Sequence, residues 1–103
     1  MMKVLKAKQS HPKKQIFQIS DLAYIKSMIP LKELLDGEEM LHPIQIYKYT
    51  VSTEQRYGAG GVPYVEKQWS VYKGSQRVQA AIRLGYTHIE GIIVNEWRIF
   101  RKS

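Results

Sequence analysis

The sequence predicts one α+β domain over residues 1–103, in which a mixed sheet carries a long hairpin and a helix follows a glycine turn. Two segments in which apolar and polar residues alternate, 44–51 and 64–72, predict the strands of the hairpin. Two glycines bracket a helical pattern over 76–84. A chain of 103 residues suits a single domain with a modest core.

The N-terminal part of the chain predicts short elements. Residues 1–14 are expected to form a short strand or a basic arm, and 15–19 a second strand. Ser20 is placed to cap a helix, because apolar residues recur after it at helical spacing. These residues are Leu22, Ile25 and Met28. A second short helix over 31–35 is expected to end at Gly37.

The C-terminal part gives the clearest pattern. Between the hairpin strands, 52–63 is rich in glycine and predicts a long loop. The helix over 76–84 is expected to bury a stripe of apolar residues, and Gly85 suits its left-handed C-terminal position. The stripe comprises Val78, Ala81 and Ile82, broadened by Ala80 and Leu84. An apolar strand over 89–94 completes a βαβ-like unit, and 97–100 either extends the sheet or forms a hydrophobic tail.

The start of the 76–84 helix predicts an anion site. A helix N-terminus carries free N–H groups and a partial positive charge. Its first turn contains no acid, although a negative charge there would be stabilising. A phosphate would complete the arrangement. The candidate phosphate-binding residues are Lys73, Gly74, Ser75, Gln76 and Arg77. The alternative, in which Arg77 faces solvent or pairs with an acid such as Glu66 and Ser75 is only a cap, stays open.

The charge of the chain favours anionic partners. Lysine and arginine number 16 against 9 acidic residues, which gives a net charge of +7. Basic residues gather at both ends, so the two termini would form one nucleic-acid-binding patch if they lay together. These residues are Lys3, Lys6, Lys8, Lys13, Lys14, Arg98, Arg101 and Lys102. A basic surface that is merely solvated remains the alternative.

Several classes of function are excluded or disfavoured. The chain contains no cysteine, which removes disulfides, thiolate catalysis and cysteine-based zinc sites. Its three histidines are scattered without metal-ligand spacing, so no metal site is expected. No apolar run approaches the length of a membrane span, and the start does not resemble a signal peptide. We therefore expect a cytoplasmic protein that does not bind membranes.

The segment 72–86, with the apolar strand after it, resembles the ParB/sulfiredoxin superfamily. The shared pattern is a glycine, two variable residues, an arginine, two more residues, a pair of alanines and then Leu-Gly. The upstream 42–46 is similar to the Pro-Ile strand of that family, and the resemblance covers roughly 40–95. It implies a phosphate-binding turn in which Gly74 and Arg77 match the motif, with a nucleoside triphosphate and magnesium as the expected ligand.

The chain also departs from that family. Sulfiredoxins carry their catalytic cysteine where this chain has Ser75, so thiol-dependent sulfinic acid reduction is not expected. ParB proteins have Glu-Arg-Arg where this chain has Ser75-Gln76-Arg77, and a later nucleotide motif and a DNA-binding helical domain that do not occur here. A nucleotide-driven DNA clamp is therefore not expected.

Three functions stay open. The first is a module that binds nucleotide or nucleic-acid phosphate, with aromatic residues available for stacking. These are Tyr47, Tyr49, Tyr57, Tyr64, Trp69 and Tyr72. The second is a ParB-like nucleotidase or nuclease that uses the acids of 33–39. The third is a protein-interaction domain that has lost its ligand. The hairpin and the hydrophobic residues near the C-terminus are consistent with a homodimer.

Overall fold

A computed structural model of the chain describes residues 2–26, 28–54 and 64–102. Side chains are described for these residues except 53–54, 64–67 and 100–102. The expected loop over 52–63 falls largely outside them, and its first residues continue a strand instead. No helix in the described part of the chain is long and apolar enough to cross a membrane.

The fold is α+β, with a six-stranded mixed sheet and two helices in the described residues. The strands are β1 (Val4–Leu5), β2 (Gln15–Gln18), β3 (Leu22–Ala23), β4 (Ile44–Glu54), β5 (Tyr64–Lys73) and β6 (His88–Lys102). The helices are α1 (Lys32–Leu35) and α2 (Ser75–Arg83). Neighbouring strands follow the path β1-β6-β4-β5-β3, and β2 pairs with β6 outside this path. Strands β1 and β4 pair with successive parts of one edge of β6, and β2 pairs with the other edge.

The hairpin prediction is confirmed, whereas the βαβ-like unit is wrong. Strands β4 and β5 pair antiparallel over most of their length, as the alternation of their residues indicates. Strand β6 runs parallel to β4 and lies on its other side. Consequently β5 and β6 are antiparallel and separated by β4, and α2 joins two strands that do not neighbour each other.

The helix expected after Ser20 does not form. Residues Ile19–Asp21 make one 3-10 turn, and Leu22–Ala23 then pairs with Trp69–Ser70 as strand β3. Pro30 disfavours helical geometry at the residue before it, which shortens any helix in this segment. Pairing with the edge of β5 therefore prevails over the helical spacing of the apolar residues.

Both helices end as the sequence predicts. Gly37 has φ 93° and Gly85 has φ 82°, in the left-handed region that glycine favours. After α2, the Gly85 N–H donates to the Ile82 carbonyl at 3.1 Å and the Tyr86 N–H donates to the Ala81 carbonyl at 2.9 Å. This pair of hydrogen bonds is a Schellman motif, which satisfies the last carbonyls of the helix.

The core lies at one end of an elongated molecule that measures 57 × 26 × 26 Å. Val78, Ala80 and Ala81 of α2 are fully buried against Ile44 and neighbouring core residues. Ile82 was expected in the buried stripe, but 48% of its surface is exposed. The distal halves of β4, β5 and β6 project from this core as a three-stranded ribbon, since no helix packs on them in the described residues.

Candidate functional site

Gly74 forms the turn between β5 and α2. It lies at the N-cap with φ 110° and ψ 18°, and no side chain caps the helix. A Cβ atom at this position would lie 2.7 Å from Cγ2 of Ile44, which is fully buried. The fold therefore requires glycine here for two structural reasons, the left-handed backbone and the close packing against β4.

Ser75 does not cap the helix, so the alternative in which Ser75 is only a cap is wrong. The helix begins at Ser75 itself, and the side chain is buried. Its hydroxyl oxygen accepts a hydrogen bond from the Lys26 N–H at 3.2 Å. The hydroxyl thus ties the segment before α1 to the start of α2, a role that its position in the sequence gave no reason to expect.

Arg77 points back toward the start of β4. Its Nη1 donates to the carbonyl oxygens of His42 at 2.6 Å and Pro43 at 3.2 Å. The side chain is half-buried, and this desolvation lowers the pKa of the guanidinium from its usual value. Among the carboxylates whose side chains are described, none pairs with Arg77. Glu66, named above as a possible partner, has its side chain outside the described residues.

The other two candidate residues differ in exposure. Lys73 is exposed, and its Nζ lies 5.7 Å from the centroid of the Tyr72 ring. Gln76 is half-buried, and its backbone carbonyl accepts a hydrogen bond from the Leu31 N–H at 3.1 Å. The described residues of 24–31 therefore lie across the first turn of α2 and form no helix.

Two cavities adjoin the turn. The smaller, about 190 Å³, is lined by Met28, Leu31 and the residues 74–77. The larger, about 630 Å³, is lined by apolar, acidic and basic side chains. Its lining includes Lys8, Leu31, Glu33, Leu34, Glu38, Glu39, Met40, Leu41, His42 and Arg77. Arg77 and Leu31 line both cavities, so the guanidinium lies between them.

The first basic residues of the chain lie far from Arg98 along β6. Strand β1 pairs with the first residues of β6, whereas Arg98 lies near the distal end of that strand. At about 3.3 Å per residue, the Ile89 partner of Leu5 and Arg98 are on the order of 30 Å apart. The side chains of Arg101 and Lys102 are outside the described residues.

Several of these basic residues already have partners within the chain. Lys3 donates to the Leu84 carbonyl at 3.1 Å, and Lys14 pairs with Glu90 at 3.3 Å. Arg98 lies 3.7 Å from Glu96. Lys6 and Lys13 are exposed, whereas Lys8 lines the larger cavity beside Arg77. Lys8 is thus the N-terminal cation that the fold brings to the turn.

The aromatic residues separate onto the two faces of the ribbon. Tyr47 and Tyr72 stack with ring centroids 4.4 Å apart, and strand register puts Tyr49 beside Trp97 on the same face. Trp69 lies on the opposite face, where it meets Phe17 edge-on. The side chains of Tyr57 and Tyr64 are outside the described residues.

In the described part of the chain, no group of three or more histidine and carboxylate side chains is arranged to hold a metal ion. Comparison of the chain with protein-family models, with curated proteins and with solved structures gives no match. The resemblance of 72–86 to the ParB/sulfiredoxin superfamily therefore stays a prediction, and the geometry around Arg77 is what supports a site.

Proposed function

We propose that this chain binds a phosphate-bearing ligand, a nucleotide or a nucleic-acid strand, at the start of α2. The observation that carries the proposal is Arg77, a half-buried cation without a described carboxylate partner beside the N-terminus of a helix. Helix N-termini favour anions through their free N–H groups and dipole, and a guanidinium adds charge-assisted hydrogen bonds.

The position of Arg77 is fixed before any ligand arrives. Two carbonyl oxygens hold one end of the guanidinium through Nη1, which limits how far the side chain can move. Desolvation penalises a charge that has no ionic partner, and a phosphate in the cavity beside it would relieve that penalty. Such preorganisation lowers the entropy lost when the ligand binds.

The two cavities suit different parts of a ligand. The smaller cavity, about 190 Å³, is lined by the turn residues 74–77 and would take the phosphate. The larger, about 630 Å³, lies within the usual range for small-molecule pockets and would take the remainder, such as a nucleoside. Leu31 and Leu41 offer apolar surface there.

A thermal-shift screen tests the proposal with ATP, CTP, GTP, inorganic phosphate and oligonucleotides, each with and without magnesium. A ligand at a hundred times its dissociation constant should stabilise the fold by about 2.7 kcal/mol. Arg77→Ala should abolish the shift, whereas Arg83→Ala, on the last turn of the same helix, should keep it. Binding to single strands should also weaken steeply with salt.

Two results would contradict the proposal. One is that none of these ligands changes the melting temperature of the wild-type chain. The other is an equal ligand response in the Arg77→Ala and wild-type proteins. If the Arg77→Ala chain retains its fold and no ligand binds either protein, the function of the domain lies in protein interaction instead.

A second candidate function is phosphoryl transfer. The observation in its favour is that Glu33, Glu38 and Glu39 line the same cavity as Arg77, where a carboxylate would activate water and magnesium would arrive with the nucleotide. Release of phosphate from ATP or CTP, or cleavage of an oligonucleotide, should then require magnesium and Arg77. Tight binding without turnover would support the binding module alone.

A further inference from the structure

One edge of β6 is unpaired over most of its length in the described residues. At the start of the strand, β1 and β2 both pair with it, so they occupy opposite edges. At Gly91, β2 and β4 lie on opposite edges, and from Ile92 to Lys102 only β4 continues. The N–H and C=O groups on the other edge are thus free to pair with another strand.

The free edge of β6 can pair antiparallel with the same edge of a second copy in a favourable register. In a two-fold arrangement with the axis perpendicular to the sheet, the stretch 92–102 overlaps fully with its copy when Trp97 faces Trp97 of the second copy. That register places Glu96 opposite Arg98 of the second copy, and Arg98 opposite its Glu96. Cross-strand pairs of opposite charge stabilise a sheet, and like charges destabilise it.

Neighbouring registers of the same symmetry are less favourable. If the two-fold axis passes through Glu96, the carboxylates of the two copies face each other. If it passes through Arg98, the two guanidinium groups face each other. Charged residues on an edge strand usually oppose pairing with other chains. Here they instead select one register, because each acid meets a base.

The surface beside this edge has room for a strand. A cavity of about 650 Å³ runs along it, lined by Lys13, Gln15 and the residues 93–96. Glu96 is the one acid in this lining, and it also contacts Lys48 at 3.6 Å. Trp97 and Ile99 are 48% and 40% exposed, so pairing would also cover apolar surface.

We propose that two copies of this chain pair antiparallel through the free edges of their β6 strands, with Trp97 on the two-fold axis. The two ribbons then form one continuous six-stranded sheet. The cavities beside Arg77 in both copies lie outside the contact. The contact is independent of the proposed phosphate site, because the core separates the distal half of β6 from the start of α2.

Disulfide trapping tests the register directly, since the natural chain has no cysteine. In the proposed register, the Cα atoms of two facing residues are about 4.5–5.5 Å apart, within the range of a disulfide. Trp97→Cys should therefore form a covalent dimer under mild oxidation. Asn95→Cys is the matched control, because its copies are roughly 13 Å apart along the strand and should remain uncrosslinked.

Charge reversal tests the same contact without cysteine. Sedimentation of the wild-type chain should show a concentration-dependent dimer, and Arg98→Glu or Glu96→Arg should each weaken it roughly tenfold. The double variant should restore much of the affinity, because the reversed charges face each other again. Circular dichroism checks that every variant is folded.

Three outcomes would overturn the inference. One is a wild-type chain that stays monomeric up to millimolar concentration. The second is equal crosslinking of the Trp97→Cys and Asn95→Cys proteins, which indicates random collision or another register. The third is a folded double charge variant that dimerises no better than either single variant.

Discussion

Gly74→Ala tests whether the glycine of the turn is required by the fold rather than by a ligand. A Cβ atom there would lie 2.7 Å from Cγ2 of Ile44 and 3.1 Å from its Cβ, in the fully buried part of the core. The residue would also keep a φ of 110°, which strains any side chain. Backbone strain of about 1–3 kcal/mol and overpacking of about 1–3 kcal/mol add to a loss of roughly 2–6 kcal/mol.

The assay is thermal or urea unfolding of the protein without ligand. For a domain of this size, such a loss lowers the melting temperature by on the order of 10–50 °C. Gly85→Ala is the matched control, because Gly85 has φ 82° but nothing lies within 4 Å of its added Cβ. It should therefore lose only the strain, about 1 kcal/mol.

Equal losses in the Gly74→Ala and Gly85→Ala proteins would refute the argument from packing. A double variant that combines Gly74→Ala with Ile44→Ala gives a sharper test, since Ile44→Ala removes the methyl group that the new Cβ would meet. The combined loss should then be smaller than the sum of the two single losses by about 1–2 kcal/mol. Simple additivity would show that the Ile44 contact does not contribute.

Three further predictions concern stability and local opening. Val78→Ala should cost about 2 kcal/mol, whereas Ile82→Ala should cost less than about 1 kcal/mol in the same unfolding assay, because Val78 is fully buried and Ile82 is 48% exposed. Ser75→Ala should speed hydrogen exchange of the Lys26 amide, whose acceptor it removes, and unchanged exchange would contradict the 3.2 Å contact. Glu90→Ala should cost about 1–3 kcal/mol, because Glu90 accepts a hydrogen bond from the buried Ala7 N–H at 2.7 Å. Glu90→Gln should keep most of that stability, since its amide oxygen still accepts. Equal losses would indicate that the ion pair of Glu90 with Lys14 supplies the stability instead.

Local patterns in the sequence were sufficient to predict the hairpin of β4 and β5 and the helix α2. Alternation over 44–51 and 64–72 reports one buried and one exposed face, which is a property of each strand by itself. The C-terminal ends of α1 and α2 were predictable for a similar reason, since Gly37 and Gly85 adopt the left-handed conformation that closes a helix.

The sequence also identified the glycine turn and its arginine, but not their contacts. Arg77 donates to carbonyl oxygens of residues more than thirty positions earlier in the chain. The residues that cross the start of α2 were predicted to be helical, because apolar spacing alone cannot reveal the competing strand at Leu22–Ala23. Nothing in the local pattern around Ser75 indicates that its hydroxyl holds Lys26.

The sequence by itself determined which segments are strands and helices wherever the signal was local, as with alternating residues and the glycines that end helices. It also showed that the first turn of α2 contains no acid. Only the tertiary structure decided that β4 lies between β5 and β6, that Leu22–Ala23 pairs with β5, and that β6 continues to Lys102 with one edge unpaired by any described residue. The physical reason is that strand order and edge pairing depend on hydrogen bonds between distant segments, which no spacing within a single segment encodes.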